Sequence, residues 1–66
     1  MTAWRCFFLS RDGQIQSMEQ IDGTLDEAEA LELCRLMLAG RAAYEAFELW
    51  RGGRRVHAEL RQAAAS

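Results

Sequence analysis

Trp4-Arg5-Cys6-Phe7-Phe8-Leu9-Ser10-Arg11-Asp12-Gly13 (WRCFFLSRDG) is the stretch that decides the fold. The run from Trp4 to Leu9 is dense in aromatic and apolar side chains, the composition of a strand. Asp12-Gly13 is a hairpin signal, because glycine reaches positive φ at no steric cost and aspartate tolerates it. Gln14 to Ile21 (QIQSMEQI) alternates loosely and reads as the returning strand. The turn is either a two-residue loop or a three-residue loop with a bulge. The two differ by one residue in register, which exchanges the faces of the return strand, and both stay open at this level. In either register Trp4, Cys6 and Phe8 point one way and Phe7 and Leu9 the other. The first strand is therefore apolar on both sides.

Moving outward, Asp22-Gly23 closes the hairpin and Thr24-Leu25-Asp26-Glu27 has the form of a capping box. The Thr24 hydroxyl would accept from the Glu27 N–H while the Glu27 side chain reaches back to Thr24. The spacing predicts a helix from Leu25 to about Ala39, with acidic residues at its positive end and Gly40 just beyond its last turn. At about 100° per residue, Ala30, Leu31, Leu33, Cys34, Met37 and Leu38 share a core-facing arc. Glu29, Glu32 and Arg35 face away, and Leu25 and Leu36 lie on that outer side with them.

Beyond Gly40, Ala43 to Trp50 (AYEAFELW) and Arg55 to Leu60 (RVHAEL) flank Gly52-Gly53, a second hairpin signal. A two-residue loop pairs Leu49 with Val56 and Phe47 with Ala58 on one face. It pairs Trp50 with Arg55 and Glu48 with His57 on the other. Arg61 to Ser66 reads as a frayed end. The whole is a ββαββ chain of α+β class, one domain with an ordered core over about residues 4–60. Its two antiparallel hairpins join into one four-stranded sheet with a single helix on one face.

Sixty-six residues leave no room for a second domain. A chain this short buries only about 60% of the surface its unfolded form exposes, and small domains often gain stability by oligomerising. Eight basic and ten acidic residues give a net charge of −2, which argues against general affinity for nucleic acid or an anionic membrane. No apolar stretch approaches the length of a membrane span. Every basic residue is Arg, and Lys, Asn and Pro are absent, the bias of a GC-rich bacterial genome. The start of the sequence lacks the pattern of a secretory leader. Two cysteines, Cys6 and Cys34, are fewer than a disulfide scaffold of this length uses. The expected location is cytoplasmic, with both thiols reduced and packed as small hydrophobes.

No catalytic, cofactor or metal motif stands out. The cysteine spacing matches no zinc pattern. His57 beside Glu48 would make a general-base pair, but no nucleophile accompanies it, and an ordinary cross-strand pair accounts for both. Asp22, Asp26, Glu27, Glu29 and Glu32 are explained by capping and solvation. Arg51, Arg54 and Arg55 cluster at the Gly-Gly tip beside Trp50 and are the candidates for phosphate or nucleic-acid contact. A solvated turn with a cation–π pair between Trp50 and Arg55 is the simpler account of them.

The strand Trp4-Arg5-Cys6-Phe7-Phe8-Leu9, the turn Arg11-Asp12-Gly13, the acidic-start Ala/Leu helix and the close Phe47-Glu48-Leu49-Trp50 together resemble a group of short uncharacterised alphaproteobacterial proteins of ββαββ type, a domain of unknown function. The resemblance covers roughly residues 4–60. It implies the same fold and a bacterial source, and it brings no catalytic residues, cofactor or activity.

One helix covers one face of a small sheet, so apolar side chains should stay uncovered on the other. The expectation is a non-enzymatic interaction module that forms a homodimer or meets another protein. The candidate contact residues are Trp4, Phe7, Phe8, Leu9 and Trp50, with Leu25 and Leu36 on the helix. The alternative is a nucleic-acid-associated regulator working through Arg51, Arg54 and Arg55.

Overall fold

The computed structural model describes residues 2–61. Strands β1 (Trp4–Leu9) and β2 (Ile15–Ile21) form the first hairpin, helix α1 (Glu27–Ala39) follows, and β3 (Ala46–Arg51) and β4 (Arg54–Leu60) form the second. All neighbouring pairs are antiparallel, and the strand order is β2-β1-β3-β4. The two hairpins meet through β1 and β3, the two most apolar strands, which leaves β2 and β4 as edges. This is the ββαββ arrangement expected from the sequence.

The first turn is the three-residue form. Gly13 N–H donates to the Ser10 carbonyl at 2.9 Å and Ser10 N–H to the Gln14 carbonyl at 2.9 Å, with Gly13 at φ +84°. A second irregularity lies just inside it. Phe8 pairs with Ser17 and Leu9 with Ile15, so Gln16 is an extra residue in β2. The second turn is the expected two-residue loop, with Gly52 at φ +58° and Gly53 at φ +77°. Those two positive φ values are what a type I′ turn demands.

The pairing inside the second hairpin differs from the expected one. Trp50 does pair with Arg55, but Leu49 pairs with His57, Glu48 with Ala58 and Phe47 with Glu59. Val56 is the extra residue of a β-bulge and shifts the rest of β4 by one position. His57 and Glu59 therefore lie on the helix side, and Ala58 and Leu60 on the open side.

The helix starts two residues later than its first cap signal. Asp26, not Thr24, is the N-cap. Its carboxylate accepts from Glu29 N–H at 2.8 Å and the Glu29 carboxylate accepts from Asp26 N–H at 3.0 Å. Thr24 is held outside the helix because its N–H donates to the Asp22 carboxylate at 2.9 Å.

The core lies between α1 and one face of the sheet. It contains Trp4, Cys6, Phe8, Ile21, Ala30, Cys34, Leu38, Phe47 and Leu49. Ala30, Cys34 and Leu38 recur at i, i+4 and i+8, and the first two are small, which lets the helix axis approach the sheet. The buried stripe is narrower than the expected arc. Leu31 and Met37 pack at its margin and Leu33 is exposed.

Candidate functional site: the open face of the sheet

The register sorts every strand residue onto one of two faces. On the covered face Trp4, Cys6 and Phe8 are fully enclosed, so Trp4 and Phe8 drop out as contact candidates. Trp4 is used three ways there. Its ring packs in the core, its Nε1 donates to the Leu25 carbonyl at 2.9 Å, and the Arg51 guanidinium lies 4.2 Å from its ring centre. Phe8 is held between Tyr44, stacked at 5.5 Å, and the Arg41 guanidinium at 5.0 Å.

The face without a helix is built in cross-strand rows. Ile15, Leu9, Ala46 and Leu60 form one row across all four strands. Met18, Phe7, Glu48 and Ala58 form the next. Gln20, Arg5, Trp50 and Arg55 form the third. The first row is wholly apolar, and only its ends stand out: Ile15 is 58% and Leu60 76% exposed. Leu9 between them is buried by its neighbours and, like Trp4 and Phe8, is lost as an exposed contact candidate. Met18 in the second row is 46% exposed. A groove of about 270 Å³ runs along this end, lined by Leu9, Arg11, Glu45, Ala46, Ala58 and Leu60.

Three polar groups of this face, Glu48, Trp50 and Arg55, are bonded to one another. Glu48 accepts from Trp50 Nε1 at 3.0 Å and from Arg55 Nη1 at 3.4 Å. Phe7 meets Trp50 edge-on, with ring centres 6.1 Å apart and planes at 84°. Both rings are half-buried, with no helix above them. Of the helix candidates, Leu25 packs against the core cluster and only Leu36 projects into solvent, at 63% exposure.

Of the arginines of the Gly-Gly tip, Arg51 and Arg54 are cross-strand partners on the covered face and Arg55 lies on the open face. Arg51 turns to the covered face, where Nη2 donates to the Gly23 carbonyl at 2.7 Å. Arg55 turns to the open face and Glu48. Arg54 is exposed. The cationic cluster expected beside Trp50 is thus split between the two sides of the sheet.

His57 does not meet Glu48. Its Nε2 lies 3.0 Å from Glu59 Oε1, and its ring stacks on Phe47 at 6.1 Å. Arg35 of the helix grips the same carboxylate with two bonds of 2.8 Å. The Arg35 fork, followed by His57, holds the Glu59 carboxyl down at about 2. This Arg35–Glu59–His57 chain ties α1 to the edge strand β4. The bulge at Val56 created it, and no sequence pattern indicated it.

Cys6 and Cys34 face each other across the helix–sheet contact, both fully buried and free. The neighbouring Cys34 thiol and burial together push the Cys6 thiol far above the ordinary range, so it stays protonated. Among the described residues no group of three or more His, Cys, Asp and Glu is placed to hold a metal ion, and no helix is long and apolar enough to cross a membrane.

No family model, curated protein or solved structure matches the chain.

Proposed function

We propose that this chain is a non-enzymatic interaction module that self-associates through the open face of its sheet. The observation that carries the reading is the open-face row Ile15, Leu9, Ala46 and Leu60, apolar across all four strands, in which Leu9 is buried and Ile15 and Leu60 at the two edges are exposed with no helix above them. Among the described residues Ile15, Met18 and Leu60 thus expose large apolar side chains on one face of the sheet, the kind of surface that marks a contact site. A small domain also gains most from burying it, since its own core is limited. Two buried, unbridged thiols used as core packing suit a reducing compartment, and a cytoplasmic bacterial setting goes with this reading. The reading through nucleic acid draws no support from the geometry, because Arg51 and Arg55 are engaged on opposite faces.

Light scattering coupled to size exclusion tests the proposal over a concentration series. The expected result is a mass rising from 7.5 kDa toward twice that value as concentration reaches the high micromolar range. A mass fixed at the monomer value would sink it.

A further inference from the structure

The geometry points to a specific mode of self-association: two copies stack open face on open face about a two-fold axis that runs parallel to the strands, between β1 and β3. This rests on the self-association proposed above and goes further by naming which residues meet.

The strand order carries the argument. An axis along the strands between β1 and β3 lays β1 over the partner's β3 and β2 over the partner's β4, and it keeps like ends of the sheet together. Each row then meets its own mirror order. Ile15 faces the partner's Leu60, and the partner's Ala46 comes over the row position of Leu9, which is already buried within the monomer. Met18 faces the partner's Ala58. Arg5 comes over the partner's Trp50, a cation–π arrangement, and Gln20 over the partner's Arg55. Phe7 faces the partner's Glu48, whose carboxylate is already occupied by Trp50 Nε1 and Arg55. The two Arg5 side chains are neighbours across the axis, each placed over the partner's Trp50, while each Arg55 stays bonded to Glu48. An in-plane axis perpendicular to the strands would instead place the apolar row on the row holding Arg5 and Arg55.

The edges favour stacking over edge-to-edge pairing. Both edge strands carry an extra residue, Gln16 in β2 and Val56 in β4, and such bulges interrupt the ladder a second sheet would need. Area sets the size class. Four strands about 4.8 Å apart and about 20 Å long offer roughly 400 Å² in projection. Two such faces remove on the order of 1,000 Å² in total, the lower bound of a specific interface. An interface of this size falls in the class of weak, transient contacts.

A charge-swap experiment tests the arrangement, since Ile15 and Leu60 are exposed enough to change without disturbing the monomer. Sedimentation equilibrium is run on the wild type, on Ile15→Glu, on Leu60→Arg and on an equimolar mixture of the two variants. Circular dichroism confirms that each variant is folded. The expected result is a dimeric wild type, at least a tenfold loss of association in each variant alone, and recovery in the mixture. In a mixed pair one corner joins the introduced carboxylate of one copy to the introduced guanidinium of the other, and the opposite corner restores the native Ile–Leu contact. A dimeric wild type with no recovery on mixing would overturn this arrangement and leave self-association standing. A wild type that stays monomeric would overturn both.

Discussion

Arg61 donates from Nη2 to the Leu38 carbonyl at 2.7 Å, so the residue after the last strand closes the last turn of the helix. The same guanidinium reaches the Tyr44 carbonyl with Nε at 3.0 Å and also bonds the Arg41 carbonyl. The Leu38 and Arg41 carbonyls also accept from the Arg41 and Tyr44 N–H groups at 3.1 and 3.2 Å, and one planar cation gathers them together with the Tyr44 carbonyl. Arg61 was expected to begin a frayed end; residues 62–66 of that end lie outside the described residues.

Replacing Arg61 by alanine should therefore destabilise the fold by about 2 kcal/mol, since several carbonyls lose a charged donor at once. In a chain of this size that corresponds to a fall in melting temperature on the order of 10 °C. Arg61→Lys should recover less than half, because an ammonium cannot hold the fork geometry. Thermal and urea unfolding of the three proteins measure this. Equal stability of Arg61→Ala and wild type would remove the closing role.

The helix start offers a sharper contrast between two neighbouring residues. Asp26→Ala should cost about 1 kcal/mol, the usual loss of an N-cap, whereas Thr24→Ala should be near neutral. Both residues are followed by Glu at the third position, Glu27 for Thr24 and Glu29 for Asp26. Urea midpoints of the two alanine variants decide between them, and a larger loss at Thr24 would reverse the assignment.

That pair also shows where sequence reading reaches and where it stops. The aromatic run from Trp4 to Leu9 fixed the two faces of β1 in any register, and Gly52-Gly53 fixed its turn, because both are local. Two valid cap signals two residues apart could not be ranked, because the choice depends on the Asp22 carboxylate capturing the Thr24 N–H. The bulge at Val56 left no mark either, since many side chains fit an extra strand position. It alone moved His57 and Glu59 under the helix and sent Ala58 and Leu60 to the open face. The apolar row needed the strand order as well, which no local pattern supplies.

The Arg35–Glu59 bridge should make stability depend on pH in acid. The Glu59 carboxyl is held at about 2, below its ordinary value near 4.5. A depressed carboxylate contributes stability that is complete above the unfolded value and is lost as pH falls through the folded one. Glu59→Gln should thus be less stable than wild type at pH 7. The difference should narrow below about pH 4.5 and close near pH 2. Because Arg35 is half exposed, 1 M salt should shrink the difference at pH 7 as well. A gap between the two proteins that stays constant from pH 7 to pH 2 would show that Glu59 acts through packing alone.

The two cysteines give the most direct check on the helix–sheet contact. Both thiols are fully buried in the native protein, and burial beside Cys34 keeps Cys6 protonated. A thiol reagent needs exposed thiolate, so native protein should react at neither position, and two equivalents should appear only in denaturant. Cys34→Ala keeps the apolar contact at the cost of a small void, about 1 kcal/mol, and Cys34→Val overfills the narrow space between Ala30 and Leu38. The helix can approach the sheet only because Ala30 and Cys34 are small, so the larger residue should be the more damaging of the two despite its greater hydrophobicity. Valine tolerated better than alanine would mean that the helix sits farther from Cys6, Phe8 and Phe47 than such close packing requires.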